Sequence, residues 1–374
     1  MPDKVPTREI LRYVPHLSLA ERDRRWKRIR DEMQVRGISC LVIWGNDRCY
    51  GTASSNLRYL THVVPESMSG GIGLLPIEGE PVVWVDYPNY YAPYPAHLGY
   101  QEWTSDIRVL AGMKPIAEEI KKRRLDNGKV GLVSHFGAWM VEQPPYMPPY
   151  YDVMALQKFL TSVETIEATD LVDKARMIKS TEEITFLQKS GKIGTRMVEA
   201  LIRAAKPSVR ECDVYAEMAA TLIREGGEAY MFNQLASGSI DKEWRHLLHG
   251  KGLPLGPSTR PLGQNDIIVT EFHANYGGYL TGVEFTALVG SDNRNVREIH
   301  EISVEAIKSG MKYMSAGRLL KEAVDAFRKP VQEAGLDYIE LGFHGHGLSS
   351  PEFPTYVYSS DACYSCHPRG RADD

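Results

Sequence analysis

The chain has 374 residues, of which 43% are hydrophobic and 25% are charged, and its formal net charge is −4 at pH 7. This length predicts two domains, and the near-balanced charge excludes the strongly basic field typical of nucleic-acid-binding proteins. The sequence has no run of about 20 apolar residues that could span a membrane, so no membrane partner is expected. The polar N-terminus and the five scattered cysteines predict a cytoplasmic protein.

The first part of the chain alternates predicted helices and strands. Residues 19–37 carry apolar side chains at helical spacing and stop at Gly37, which predicts an amphipathic helix. The alternation predicts an α/β domain over residues 1–167. The Pro- and Tyr-rich segment 143–153 is predicted to be a loop or an extended edge rather than a helix. The other predicted elements are strands at 38–45 and 129–135, two strands within 70–87, and a helix at 113–128.

The pattern changes near Leu171, and residues 168–374 are predicted to form a second domain. Ser180 precedes two glutamates and predicts a helix N-cap. Residues 197–227 weakly repeat residues 303–335, since each stretch reads as helix, short break, helix and glycine, followed by strand-like sequence. This repeat predicts an α+β unit with pseudo-twofold symmetry and a site between its halves.

Residues 264–290 predict a β-hairpin. Side chains alternate along a strand, so Glu271 and His273 share one face of the first strand. Gly282 and Glu284 share a face of the second strand, and antiparallel pairing can bring the two faces together. Carboxylates beside an imidazole are costly to bury unless they are paired or used, which favours a functional site. The alternative is a solvated hairpin face with ordinary side chains.

Four more histidines are candidates. His344 and His346 lie two residues apart in a Gly-rich segment, where the backbone can approach a ligand closely. His246 and His249 precede a loop rich in glycine and proline. For His344 and His346, the alternative is a loop with incidental histidines. For His246 and His249, the alternative is an ordinary position at the protein surface.

These segments resemble, in the same order, the creatinase, aminopeptidase P and prolidase family. The resemblance rests on ARMIKSTEEITFLQKSG, LASGS, NDIIVTEF, YGGYLTGVEFTALVG and FHGHGLS. It implies an α+β protein, with a smaller creatinase-like α/β domain (1–167) before a pita-bread domain with pseudo-twofold symmetry (168–374) that is apparently short at its C-terminus. It also implies a homodimer.

Peptidases of this family bind two metal ions through two Asp, one His and two Glu. The resemblance places the first Asp at Glu271 and the second at Gly282, which cannot bind a metal. It places the metal-binding His at His346 and a further His near the substrate at Phe353. The two Glu ligands belong to strands beyond residue 354, and no glutamate occurs there. We therefore expect no dinuclear centre and no metal cofactor.

Creatinase, the family member that hydrolyses a C–N bond of a small guanidino compound without metal, carries a Glu where Glu284 lies. The resemblance predicts a metal-independent hydrolase of a small, polar, nitrogen-containing substrate. Either His249 or His246 would be the general base, and the sequence does not distinguish between them. Glu284 and Glu271 would hold a cationic group, and His346 would stabilise the leaving nitrogen.

Two alternatives remain open. One is a catalytically inactive family member that binds a ligand or a partner protein. The other is a metal-dependent Xaa-Pro peptidase or lyase-like member, in which Glu271, His273, Glu284 and His346 bind a single Fe, Zn or Mn ion.

Overall fold

The structure of the chain is a computed structural model that describes residues 12–45, 55–64, 71–85, 102–134, 148–228, 233–240, 257–290, 292–336, 343–350, 352–359 and 362–366. From residue 353 onward it describes the backbone only. Within these ranges, no helix combines the length and the apolar character that crossing a bilayer requires. The chain is an α+β protein, with an N-terminal domain built on one mixed sheet followed by a C-terminal domain of two similar helix-and-sheet halves.

The N-terminal domain is built on a mixed six-stranded sheet, in the order β4–β3–β2–β1–β5–β6. Its strands are β1 (Ile38–Trp44), β2 (Gly71–Pro76), β3 (Val82–Val85), β4 (Asp106–Val109), β5 (Lys129–Val133) and β6 (Thr165–Glu167). Its helices are α1 (Leu19–Arg36), α2 (Ser55–Thr61), α3 (Lys114–Lys122) and α4 (Tyr150–Phe159), and α5 (Thr169–Met177) follows β6. The central strand β1 pairs antiparallel with β2 and parallel with β5, and its two faces contribute to two separate apolar cores.

Local signals explain most of this domain. Helix α1 begins after Ser18, whose hydroxyl accepts a hydrogen bond from the Glu21 amide (3.1 Å), and it ends at Gly37, as predicted. The prediction of a loop over 143–153 is wrong for its last residues, because α4 begins at Tyr150. Pro149 immediately precedes that helix, and proline is tolerated at a helix start, where its missing N–H would have no partner inside the helix.

The C-terminal domain repeats a helix pair and a three-stranded antiparallel sheet. Its first half contains α6 (Thr181–Ala204), α7 (Glu211–Arg224), β7 (Asn233–Ser239), β8 (Asp266–Tyr276) and β9 (Tyr279–Val289). Its second half contains α8 (Arg294–Met311), α9 (Leu320–Glu333), β10 (Phe343–Gly345), β11 (Glu352–Ser359) and β12 (Ala362–Cys366). The helix pairs predicted from the internal repeat are therefore present, and each pair is followed by a glycine with positive φ and by a sheet (Gly226 78°, Gly335 67°). The predicted N-cap at Ser180 is also present, as a reciprocal capping box with Glu183.

Arg25 of α1 connects the two domains. Its guanidinium donates to the Glu21 carboxylate (2.7 Å), the Tyr59 carbonyl (3.0 Å) and the Tyr279 hydroxyl (2.8 Å) at the start of β9. Its Nη2 also lies 3.3 Å from the carboxylate of Glu183, and that carboxylate accepts a hydrogen bond from the Tyr279 hydroxyl (2.9 Å). The Arg25 side chain is 0% exposed, and those of Glu21 and Glu183 are 3% exposed. Each charge in this network therefore depends on its partners, because water cannot replace them.

A second buried polar cluster lies where α5 meets the C-terminal domain. Arg176 donates to the side chain of Asn56 (2.7 Å) in the N-terminal domain and to the Ser349 hydroxyl (2.7 Å) in the C-terminal domain. It also pairs with the Glu352 carboxylate (2.5 Å). Asp173, one turn earlier on α5, lies 4.0 Å from Arg176 and is buried.

We expect the Asp173→Asn substitution to stabilise the protein at alkaline but not at acidic pH. Burial raises the pKa of Asp173 to about 7 despite the opposing effect of Arg176, and Glu352 and Glu167 raise it further. Because this pKa is higher in the folded chain than in the unfolded one, the free energy of unfolding falls as the pH rises from about 4 through 7. The substitution removes this loss, so the variant should be more stable at pH 8, by on the order of 1–3 kcal/mol. Thermal unfolding of both proteins between pH 4 and 8 measures the effect, and a difference that did not change with pH would contradict it.

Candidate active site

The candidate site is built on the hairpin of β8 and β9. The strands are joined by Gly277 and Gly278, whose φ angles of 59° and 86° suit glycine in a tight turn. The pairing places Glu271 opposite Glu284 and His273 opposite Gly282. These are the residues that the sequence pattern predicts to share one face.

The opposite face of the hairpin packs on helices α6 and α7. Phe272 belongs to the apolar core that contains Met197 and Met218 of these helices, and the partly buried Val283 and Phe285 pack against it. Since side chains alternate along a strand, Glu271, His273, Gly282 and Glu284 point away from that core. The hydrophobic side therefore fixes the register that brings the two glutamates together.

The two glutamates form an uncompensated carboxylate pair. Glu271 is half-buried and Glu284 is exposed. Among the described residues, neither carboxylate accepts a hydrogen bond or forms an ion pair. Burial and the neighbouring carboxylate of Glu284 raise the pKa of Glu271 to about 7. Like charges directly opposite each other destabilise a sheet, so this pair favours the binding of a cation.

The imidazole of His346 lies against this face at Gly282. A Cβ atom at position 282 would lie 2.9 Å from His346 Cε1 and 3.3 Å from His273 Nε2. The His346 ring is 4.7 Å from the His344 ring and 6.3 Å from the His273 ring. Burial, with the neighbouring imidazoles of His344 and His273, lowers the pKa of His346 to about 3. His346 is therefore a neutral hydrogen-bonding group at physiological pH.

The segment that follows His346 is attached to the hairpin. Ser350, which is buried, has its hydroxyl 3.0 Å from His273 Nε2. The amide of Leu280 donates to the Gly347 carbonyl (2.8 Å). Two contacts therefore hold residues 346–350 on strands β8 and β9.

The structure brings three of the five predicted site residues, Glu271, Glu284 and His346, to the same side of the hairpin. The other two, His246 and His249, lie outside the described residues, as does the side chain of Phe353. The catalytic roles assigned to these residues stay predictions.

Sequence reasoning missed Ser350 and Glu352. Their contacts, with His273 on the hairpin and with Arg176 on α5, join residues 77 and 176 positions apart. The only local signal was a polar run immediately after the Gly-rich segment.

The described side chains do not provide a two-metal centre. The imidazoles of His346 and His273 occupy the space next to position 282, where a second Asp ligand would project. Within the described residues, no three His, Cys, Asp or Glu side chains form a group that could hold a metal ion. As placed here, Glu271, His273, Glu284 and His346 form no such group, and His273 Nε2 is in contact with the Ser350 hydroxyl. Their role as ligands of a single ion stays a prediction. Glu271 and Glu284 are two facing carboxylates that could hold one cation, whose further ligands would come from outside the described residues or from water.

Two family models match the chain. The creatinase/prolidase N-terminal domain matches residues 25–178, and metallopeptidase family M24 matches residues 185–369. A peptidase of Bacillus subtilis, the uncharacterized YqhT, is 23% identical over 320 residues, which are 85% of this chain and 83% of that protein. The Xaa-Pro dipeptidase of Pyrococcus furiosus is 32% identical over 190 residues, which are 50% of this chain and 51% of that protein.

Solved structures share the fold. The X-Pro aminopeptidase of Thermotoga maritima matches with a TM-score of 0.70 at 19% identity, over 88% of this chain and 84% of that one. The prolidase of Pyrococcus horikoshii matches with a TM-score of 0.68 at 24% identity, over 89% of this chain and 84% of that one.

These matches correct the cofactor prediction. The expectation that no metal is needed is wrong, because the C-terminal domain matches a family of metallopeptidases. That expectation rests on the ligand lost at Gly282, whereas Glu271 and Glu284 face each other with no compensating charge among the described residues. The chain belongs to the creatinase/prolidase superfamily of metallopeptidase family M24.

Proposed function

We propose that this chain is a metal-dependent hydrolase of the Xaa-Pro peptidase type, with a remodelled site in which Glu271 and Glu284 bind one cation. The observation that carries the proposal is the carboxylate pair itself, which is held opposite by the hairpin register and has no compensating charge among the described residues. The peptidases named above support the choice of reaction class.

Each described side chain has a separate part in this proposal. A cation bound at the carboxylate pair would supply Lewis-acid chemistry to the scissile carbonyl. Glu284, which is exposed, meets the solvent side of the site, and Glu271 lies deeper. His346 is uncharged at physiological pH and offers a hydrogen bond without repelling a cation. Its Nδ1 is buried and has no hydrogen-bond partner among the described residues.

The test is an Xaa-Pro dipeptide assay on chelated protein supplemented in turn with Mn²⁺, Co²⁺, Zn²⁺ and Fe²⁺. We expect hydrolysis of Ala-Pro to require one of these ions, with calorimetry giving a stoichiometry near one ion per chain. Ala-Ala serves as the substrate control, because it presents a similar peptide without the imide bond.

Two results would contradict the proposal. Full turnover by exhaustively chelated protein would reject metal dependence. Stoichiometric metal binding without hydrolysis of any Xaa-Pro dipeptide would reject the peptidase assignment and favour a protein that only binds its ligand.

A further inference from the structure

We infer that Glu352 is a positioning residue for this site: its carboxylate, held between Arg176 and Lys179, fixes residues 346–350 so that the His346 ring lies over Gly282. The effect expected on turnover rests on the proposed function, whereas the effect expected on the position of the segment does not.

The carboxylate of Glu352 is held by two cations in a buried place. It pairs with Arg176 (2.5 Å) and with Lys179, and the three side chains are 6%, 5% and 13% exposed, respectively. Burial alone would raise the pKa of Glu352, but Arg176 and Lys179 lower it below its ordinary value. Glu352 is therefore ionised at neutral pH, and its position is set by charge-assisted hydrogen bonds.

The same carboxylate packs against the backbone of the segment that carries His346. Glu352 is the first residue of β11 and pairs with Gly345 of β10, so residues 346–351 form the connection between the two strands. A Cβ atom at position 347 would overlap the Glu352 carboxylate. Glycine at 347 therefore allows the carboxylate to lie directly on the residue next to His346.

The path from this carboxylate to the hairpin is short. Gly347, which Glu352 contacts, accepts the amide hydrogen of Leu280 on β9 (2.8 Å). Position 280 is two residues before Gly282, where the His346 ring lies. A shift of the carboxylate would therefore move the backbone on both sides of His346, and shifts of about 1 Å in a site can cost about 100-fold in rate.

The group formed by Glu352, Arg176 and Lys179 also contacts the N-terminal domain. Arg176 donates to Asn56 of α2, and Asn56 in turn donates to the carbonyl of Ser134 (2.5 Å) after β5. These hydrogen bonds therefore fix the position of His346 relative to the N-terminal sheet as well as to the hairpin.

The experiment compares Glu352→Gln with Glu119→Gln. Glu119 lies in the N-terminal domain, is also 6% exposed, and is also held by two cations, Arg108 and Arg123. Both substitutions remove a buried charge of the same kind, so both should lower the melting temperature. Only Glu352→Gln should accelerate hydrogen exchange at the Leu280 amide, by roughly 10-fold or more, because that amide reports the docking of Gly347.

Turnover provides the second measurement. Since Glu271 and Glu284 are untouched, Glu352→Gln should lower kcat for an Xaa-Pro dipeptide by roughly 10- to 100-fold, with KM within about twofold of the parent. Glu119→Gln should leave both constants unchanged. If the hydrogen-exchange rate at the Leu280 amide and kcat change equally in the two variants, Glu352 contributes only to the overall stability of the protein, and the inference is overturned.

Two further outcomes are decisive. If Glu352→Gln accelerates exchange at Leu280 but the parent protein hydrolyses no Xaa-Pro dipeptide, the positioning stands and the proposed function fails. If Glu352→Gln does not fold, Gly347→Ala tests the same contact, because it displaces the carboxylate and keeps every charge. Unchanged exchange at Leu280 in that variant would overturn the inference.

Discussion

Replacing Glu284 by glutamine should reduce kcat/KM for an Xaa-Pro dipeptide by roughly 10- to 150-fold. The substitution removes the charge and keeps the shape, and a hydrogen bond to a charged group contributes about 1.5–3 kcal/mol, at about 1.4 kcal/mol per decade of rate. Stability should not fall, because the change removes the repulsion between Glu284 and Glu271, which adds to the effect of burial in raising the pKa of Glu271. Steady-state kinetics and thermal unfolding of the same sample measure both quantities.

Glu199→Gln is the matched control for this experiment. Glu199 is an exposed helix residue on α6 that pairs with Arg196 (2.9 Å) on the same surface. We expect less than a twofold change in kcat/KM, since exposed ion pairs contribute little. If Glu284→Gln instead lowered the melting temperature and left turnover unchanged, Glu284 would be a structural residue and Glu271 alone would remain as the anchor.

The largest loss of stability should follow Arg25→Met. The substitution leaves the carboxylates of Glu21 and Glu183 buried with Arg24, whose side chain is 36% exposed, as their remaining cationic partner, and it also removes the donor to the Tyr279 hydroxyl. Breaking a buried ion pair in this way costs about 3–5 kcal/mol. Urea unfolding of the parent and the variant should therefore differ strongly in midpoint.

Lys27→Met, on the same helix α1, controls for the loss of a cation. Lys27 pairs with Asp31 across an exposed surface, with side chains 76% and 60% exposed. Its substitution should change the free energy of unfolding by less than about 1 kcal/mol. A similar small change for Arg25→Met would show that Arg24 alone suffices to stabilise the two buried carboxylates.

The sequence predicted the elements whose signals are local. The hairpin followed from alternating side chains around Gly277 and Gly278, and the start of α6 followed from Ser180 and Glu183. The start of α4 is not predicted, because the prolines within 143–149 indicate an extended segment, whereas Pro149 only precedes the helix that begins at Tyr150.

The candidate site was only partly predictable. The alternation of strand residues placed Glu271 opposite Glu284, because both strands have one apolar face that fixes their register. The contacts of Arg25 with Tyr279 and of Arg176 with Glu352 join residues 254 and 176 positions apart, and no local pattern encodes such pairs. The cofactor error has a different origin, since it followed from counting the lost ligands rather than from weighing the two carboxylates that remain, Glu271 and Glu284.

The close approach of two imidazoles to Gly282 also limits how this protein could evolve. A mutation that introduced aspartate there would place a side chain where the His346 and His273 rings already lie, at 2.9 and 3.3 Å from the new Cβ. A carboxylate at position 282 would therefore require both rings to move, and with them the contact between His273 and Ser350, so one substitution alone does not create a ligand there.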